Sequence, residues 1–241
     1  MQIIKTVEEL KKIRKELKGT VGFVPTMGAL HDGHISLIKE ARANNDFVIV
    51  SIFVNPTQFL KGEDLSTYPR KEEADIKICQ MCKVDFLFMP NINSIYEDDE
   101  VLIKAPQNSY VLEGLTRPGH FDGVLQVVLK LFNLTQATNA YFGKKDAQQL
   151  ALIQQMVKNL FLSVNIIPCD IVRENSGLAL SSRNVYLSVE QKEEALKISK
   201  SIYMAGNLIA KGERNSKIIK DKIYEVLENL DVEYVKVVDK K

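Results

Sequence analysis

Five short apolar runs, each parted from the next by an amphipathic stretch, limit what this chain can fold into more than any other feature. The runs lie near Val21 to Pro25, Phe47 to Val54, Val84 to Met89, Asn139 to Phe142 and Asn165 to Cys169. Apolar residues at helical spacing fill the intervals, near residues 35–44, 70–82, 123–135 and 146–160. A strand that is apolar at nearly every position is buried on both faces, and strands that alternate with helices lie parallel. The expected architecture is a doubly wound α/β domain, whose ligands bind beyond the carboxyl ends of the strands. A helix precedes the first run, announced by the capping box Thr6-x-x-Glu9 and closed by Gly19.

Two segments depart from this alternation. Residues 91–122 are less regular and are expected to carry short antiparallel strands. After Asn184 the composition shifts: Ser188-x-x-Gln191 is a second capping box, opening a charged helix to about Lys211. Another helix is expected over 215–230 and a strand over Val232 to Val238. The domains are therefore placed at 1–184 and 185–241.

The chain of 241 residues is 45% apolar and 26% charged, with a net charge of +1 and cations spread along its length. That weighs against a nucleic-acid partner, which calls for a basic face. Met1-Gln2-Ile3-Ile4-Lys5 leads into no long apolar core, so no signal peptide is expected, and no apolar run reaches membrane-spanning length. Three cysteines suggest a reducing, cytoplasmic setting. Cys79-Gln80-Met81-Cys82 has redox or zinc spacing, but no second such pair exists, and Ala74, Ile78, Met81 and Cys82 share one helical face. Both thiols are read as packing residues.

The segment with the most chemistry is Pro25-Thr-Met-Gly-Ala-Leu-His-Asp-Gly-His34. It follows the first apolar run and precedes Ile35, Leu37, Ile38 and Ala41, so it is a strand end, a Gly-bearing turn and a helix start. Such a turn aims backbone N–H groups and the positive end of a helix dipole at an anion. Its glycines let a phosphate approach the backbone. Two imidazoles three residues apart, on one helical face, complete a site for a polyphosphate. Gly28 to Gly33 has the outer spacing of a P-loop, but His34-Ile35 stands where Lys-Ser/Thr is required. A histidine metal site would have to draw on His120, the one other histidine.

His-x-Gly-His in this setting resembles the nucleotidylyl transferases and the tRNA synthetases that share their Rossmann-like fold. Polar residues stand beyond other strands as well: Asn55-Pro-Thr-Gln-Phe59, Gly143-Lys-Lys-Asp-Ala-Gln-Gln149 and Gly177-Leu-Ala-Leu-Ser-Ser-Arg-Asn184. With Asp64-Leu-Ser-Thr-Tyr-Pro-Arg70 and Arg117-Pro-Gly-His-Phe-Asp-Gly-Val124 added, the chain closely resembles the pantoate–β-alanine ligase family over residues 1 to about 238.

That resemblance implies condensation of pantoate with β-alanine at the expense of ATP, through a pantoyl adenylate, with Mg²⁺ neutralising pyrophosphate. It implies His34 and Lys145 as catalytic groups. ATP would be bound by Met27, Gly28, Ala29, Leu30, His31, Asp32, Gly33 and His34 from the first block. Gly143, Lys144, Lys145, Asp146, Val172, Leu180, Ser181, Ser182 and Arg183 would complete its site. Asn55, Gln58 and Gln149 would bind pantoate and β-alanine, and no residue is assigned as a metal ligand. It further implies a homodimer and a second domain acting as a lid, shortened here because family members run several tens of residues further. Another adenylyl or cytidylyl transferase, or a degenerate nucleotide-binding module, would share the first block without the paired glutamines.

Overall fold

The computed structural model describes residues 1–238. The chain divides into two compact units, Met1–Val172 and Arg173–Lys241.

The first unit is built on one parallel sheet. Its strands are β1 (Gln2–Ile4), β2 (Val21–Thr26), β3 (Phe47–Ile52), β4 (Phe86–Phe88), β5 (Asn139–Gly143) and β6 (Asn165–Cys169), ordered β1-β4-β3-β2-β5-β6. Every pairing is parallel. Helices α1 (Val7–Glu16), α2 (Asp32–Asn44), α3 (Glu72–Met81), α4 (Ile92–Ile95), α5 (Glu113–Thr116), α6 (His120–Thr135) and α7 (Ala147–Asn159) connect them. Thr6 caps α1 through the expected box, its hydroxyl accepting from Glu9 N.

Successive residues of each strand feed opposite cores. Phe23, Ile49, Phe88, Ala140 and Phe142 pack with residues of α1, α6 and α7. Val24, Val48, Val50, Leu87 and Tyr141 pack with residues of α2 and α3. Helices on both faces are what continuous apolar strands require. The chain leaves β2 toward β3 on one side and returns to β5 on the other, so the switch point lies between β2 and β5.

Two expectations about this unit need correction, and one strand is additional. Residues 91–122 hold no strand; they contain α4, a 3₁₀ turn at Gln107–Tyr110 and α5. Their backbone is held by side chains of α6 instead: Gln126 Oε1 and Asp122 Oδ1 accept from Ile103 and Ala105 N, and Lys130 Nζ donates to Ile95 O. The buried face of α3 is not Ala74, Ile78, Met81 and Cys82, since Met81 is 82% exposed; it centres on Asp75 and Cys79. β1, at the edge of the sheet, was not anticipated. Its three residues are mostly exposed, with only Ile4 buried.

The second unit begins at Arg173, ahead of the boundary expected near residue 184. Residues 173–184 fold on themselves: Arg173 bridges Ala179, and Glu174 N donates to Leu178 O. α8 (Val189–Ala210) and α9 (Ser216–Val226) follow, the first capped by Ser188 and Gln191 as expected. Ala205, Ile219 and Leu227 are buried between them. Val232 to Val238 forms no strand. Among the described residues of this unit no strand lies alongside to supply ladder partners, and an isolated strand is not stable.

Candidate active site

The polar segments that the sequence places beyond strands converge, within the first unit, at the carboxyl edge of β2, β3 and β5. Thr26 ends β2, and residues 27–31 form the turn into α2. Gly28 has φ +85° and Ala29 φ +49°, so two successive residues are left-handed.

His31 is the N-cap of α2, one residue outside the helix, and its Nδ1 accepts from Gly33 N at 3.1 Å. His34, on the first turn, returns the contact: its Nδ1 accepts from His31 N at 3.3 Å. The two rings lie 4.1 Å apart. An imidazole whose Nδ1 accepts carries its single proton on Nε2, so each ring offers one N–H donor on the side away from the cap. Burial, then the positive potential of His31 and Lys145, pulls the His34 pKa down to about 3. Burial followed by Lys145 lowers that of His31 too. Both rings are therefore neutral donors near neutral pH. Lys145, whose positive charge contributes to both shifts, lies in the 3₁₀ turn Lys144–Asp146 after β5.

The turn's backbone does something other than expected. Gly28 N donates to Thr26 Oγ1, Ala29 N and Leu30 N donate to the two oxygens of Asp75, and His31 N donates to His34. These N–H groups are engaged within the protein, so the cradle for an anion is made by side chains at the mouth of α2 and by its dipole. The space at Gly28 serves the protein too: a Cβ there would stand 3.0 Å from Asp75 Oδ2 and 3.1 Å from Ile52 Cγ2.

Beyond β3, Asn55 is 1% exposed and stands at the N-cap position of the 3₁₀ turn Pro56–Gln58. Its Nδ2 donates to Gln58 Oε1 and Gly123 O, both at 3.1 Å, while its Oδ1 accepts from Tyr96 and Thr57. Gln58 is pinned through its main chain as well. His120 Nδ1 lies 2.8 Å from Gln58 O, and Arg117 donates to that oxygen while paired with Glu63. With Oε1 taken by Asn55, the Gln58 Nε2 protons remain for a ligand. Gln149 lies half-buried on the first turn of α7. Its neighbour Gln148 has a structural role, bonded to Val111 O and Glu113 N.

Lys144 pairs with Asp170 at 2.6 Å, and Lys145 with Asp146 at 3.1 Å. Val172 closes the first unit after β6. Leu180, Ser181, Ser182 and Arg183 belong to the second unit, where Ser181 caps a 3₁₀ turn by accepting from Arg183 N. Burial lifts the Cys79 thiol to about 12, consistent with packing. Among the described residues no group of three His, Cys, Asp or Glu could hold a metal, and no helix is long and apolar enough to cross a membrane.

Asp75, Tyr96, Arg117, His120 and Gly123 carry no assigned role in the sequence reading, yet they bond the turn after β2, Asn55 and Gln58. Asp75 had a visible signal: with Cys79 and Cys82 it sits at i, i+4 and i+7, an acid on an otherwise apolar face.

Comparison with known proteins bears on this geometry. The family model for pantoate-beta-alanine ligase matches residues 2–241. A pantothenate synthetase from Aliarcobacter butzleri is 73% identical over all of this chain and 88% of its own length. The crystal structure of pantothenate synthetase from Thermus thermophilus superposes with a TM-score of 0.94 at 40% identity, covering 100% of this chain and 88% of that one. That of pantoate-beta-alanine ligase from Francisella tularensis, complexed with beta-gamma ATP and beta-alanine, gives 0.81 at 44% identity, over 94% of this chain and 86% of that one.

Proposed function

The chain belongs to the pantoate–β-alanine ligase family, and from that premise we propose how its own residues carry out the reaction. The protein condenses pantoate with β-alanine using ATP. A pantoate carboxylate oxygen attacks the α-phosphorus, the bond to the bridging oxygen breaks, and pyrophosphate leaves. The β-alanine nitrogen then attacks the acyl carbon of the pantoyl adenylate. The carbon–oxygen bond to phosphate breaks, AMP leaves, and the amine proton passes to solvent.

The observation that supports the assignment of roles is the reciprocal His31–His34 cap after β2, which fixes two neutral Nε2–H donors. Negative charge grows on the α–β bridge as pyrophosphate departs, and preorganised donors stabilise it without rearranging. His34 and Lys145 act there. Met27 to Gly33 and Gly143 to Asp146 frame the nucleotide, Val172 borders it, and Leu180, Ser181, Ser182 and Arg183 of the second unit clamp the phosphates. The parent of that reading is the family; its support here is that Ser181 holds the Arg183 backbone in a capped turn. Residues 1–184 then carry nucleotide and pantoate binding, with 173–184 contributed by the second unit, and 185–241 take the lid role that the family implies.

Gln58 and Gln149 bind the pantoate hydroxyl and carboxylate. Neutral amides orient a nucleophilic carboxylate without neutralising it, as an arginine would. Asn55 works through Gln58, since its own donors and acceptors are satisfied inside the protein. Mg²⁺, when bound with the triphosphate, would supply positive charge that offsets the negative charge of the leaving pyrophosphate. The exposed carboxylates of Asp32 and Asp146 are hard oxygen donors of the kind it favours.

ATP–pyrophosphate exchange tests the reading. Exchange is expected with pantoate and ATP, and absent with an amino acid in place of pantoate. Gln149→Ala should raise the pantoate KM by about ten-fold or more while ATP KM changes little, because a site built to hydrogen-bond its substrate loses that partner selectively. Exchange independent of pantoate, or equal losses for both substrates, overturns the assignment.

We further propose a cytoplasmic homodimer joined through the first unit. Three unpaired thiols suit a reducing compartment, and twofold assemblies are the commonest oligomers. Sedimentation velocity at micromolar concentration should give twice the chain mass of 27.3 kDa; a monomer there contradicts this.

A further inference from the structure

We infer that Asp75 is a positioning residue for the nucleotide, its carboxylate holding the Gly28–Leu30 turn in the shape that presents His31 and His34 to the phosphates. This rests on the placement of ATP over Met27 to His34.

Asp75 stands in the first turn of α3, far from the turn in sequence, and is 2% exposed. Each of its oxygens takes one successive main-chain N–H: Oδ2 from Ala29 at 2.8 Å and Oδ1 from Leu30 at 2.7 Å. A left-handed turn in the backbone lets consecutive N–H groups converge on one anion, and this stretch makes one at Gly28 and Ala29. Ala29 is not glycine, so its φ of +49° persists because something outside the turn enforces it. The two charge-assisted bonds to Asp75 are the visible cause. The turn leads straight into the N-cap, so its shape sets where both imidazoles stand.

The carboxylate also lies against a cavity of about 630 Å³ lined by Met27 and Gly28 and by Lys5, Arg70 and Asn91. The turn itself is buried, with Leu30 packed in the core on the α2 side, and the Asp75 hydrogen bonds fix its main chain where it borders that space. Burial raises the Asp75 pKa against the lowering pull of the Leu30 and Ala29 N–H groups, as expected where a carboxylate is kept in the interior for what it binds.

Asp75→Asn is the informative variant. Its single amide oxygen can accept one of the two N–H groups, while its NH₂ faces the other, donor against donor. With the turn loosened, the ATP KM in pyrophosphate exchange should rise about ten-fold or more, the scale of loss expected when binding groups drift by an ångström. The pantoate KM should stay within about two-fold, because Gln58 and Gln149 sit on other elements. The rise in melting temperature caused by ATP should shrink, and that caused by pantoate should not. A variant that is less stable yet keeps the wild-type ATP KM overturns the proposal, and so does an equal rise in both KM values.

Where the variant does not fold, amide exchange in the wild-type protein decides. Ala29 and Leu30 amides should exchange as slowly as those of β2 before any nucleotide is added; exchange at loop rates overturns the clamp. His34→Ala separates the two levels of the argument. Wild-type ATP dependence in that variant removes the nucleotide placement itself. Impaired His34→Ala beside unaffected Asp75→Asn removes the clamp alone.

Discussion

Replacing His34 by alanine should reduce adenylation by about 10²–10³ in kcat, the usual consequence of deleting one preorganised donor to developing charge. Two losses combine in this variant. The Nε2–H donor at the α–β bridge disappears, and His31 N loses the acceptor that completes the reciprocal cap. The fold should survive, since α2 keeps Leu37, Ile38 and Ala41 buried against β2 and β3. Pantoate binding should change little. Pyrophosphate exchange near the wild-type rate would remove His34 from the chemistry.

The same substitution has a signature in stability. A free histidine titrates near pH 6.5, whereas folded His34 does so at about 3. Between those values the unfolded chain binds the extra proton, so stability rises with pH across the window and is lost as pH falls from ~6.5 toward ~3. The wild-type melting temperature should therefore drop between pH 7 and pH 4.5 more than that of His34→Ala. His31 is shifted in the same direction and keeps part of the dependence in the variant. Parallel curves for the two proteins would mean that His34 is not held neutral by burial.

The sheet was legible because period and burial coincide in it. Strands such as Val48-Ile-Val50 are apolar on both sides since α2 covers one face and α6 the other. β6, read as Asn165 to Cys169, is an edge strand, a position that tolerates Pro168. Where apolar residues do not mark burial, the reading failed. Val101 and Leu102 look like strand residues yet are exposed, and their segment is fixed by Gln126, Asp122 and Lys130 reaching across from α6. Local patterns carry no trace of such distant partners.

The site divides along the same line. His31, His34, Asn55, Gln58 and Lys145 could be read from motifs because they lie within a few residues of a strand end. What holds them could not. Asp75 binds a turn 45 and 46 residues away, and His120 reaches Gln58 across 62. The turn's N–H groups, which local reasoning offers to a phosphate, are claimed by that distant carboxylate. The candidate residues are legible in the motifs, and their positioning follows from contacts that only the folded chain brings together.

Gly123→Ala should be the most damaging small substitution in the pantoate half of the site. Gly123 stands on the first turn of α6, where the helix passes directly over the 3₁₀ turn Pro56–Gln58. A Cβ there would lie 2.2 Å from Thr57 O, 2.4 Å from Thr57 C and 2.7 Å from Gln58 N. All three are main-chain atoms, so no rotamer change relieves the overlap; the turn or the helix has to move. The turn is the weaker partner, but moving it disturbs the Gln58 carbonyl bonds to His120 and Arg117 and the Asn55 bond to Gly123 O. Overpacking of this kind costs about 2–3 kcal/mol, which for a chain of this size lowers the melting temperature by roughly 5–10 °C. Gln58 moves with the turn, so the pantoate KM should rise by about ten-fold or more. The ATP KM should stay near wild type, because residues 27–34 are held by β2, α2 and Asp75 and not by α6. A Gly123→Ala protein with wild-type stability and pantoate KM would mean that α6 and the Gln58 turn do not approach as closely as described, and the positioning of Gln58 by α6 would fall with it.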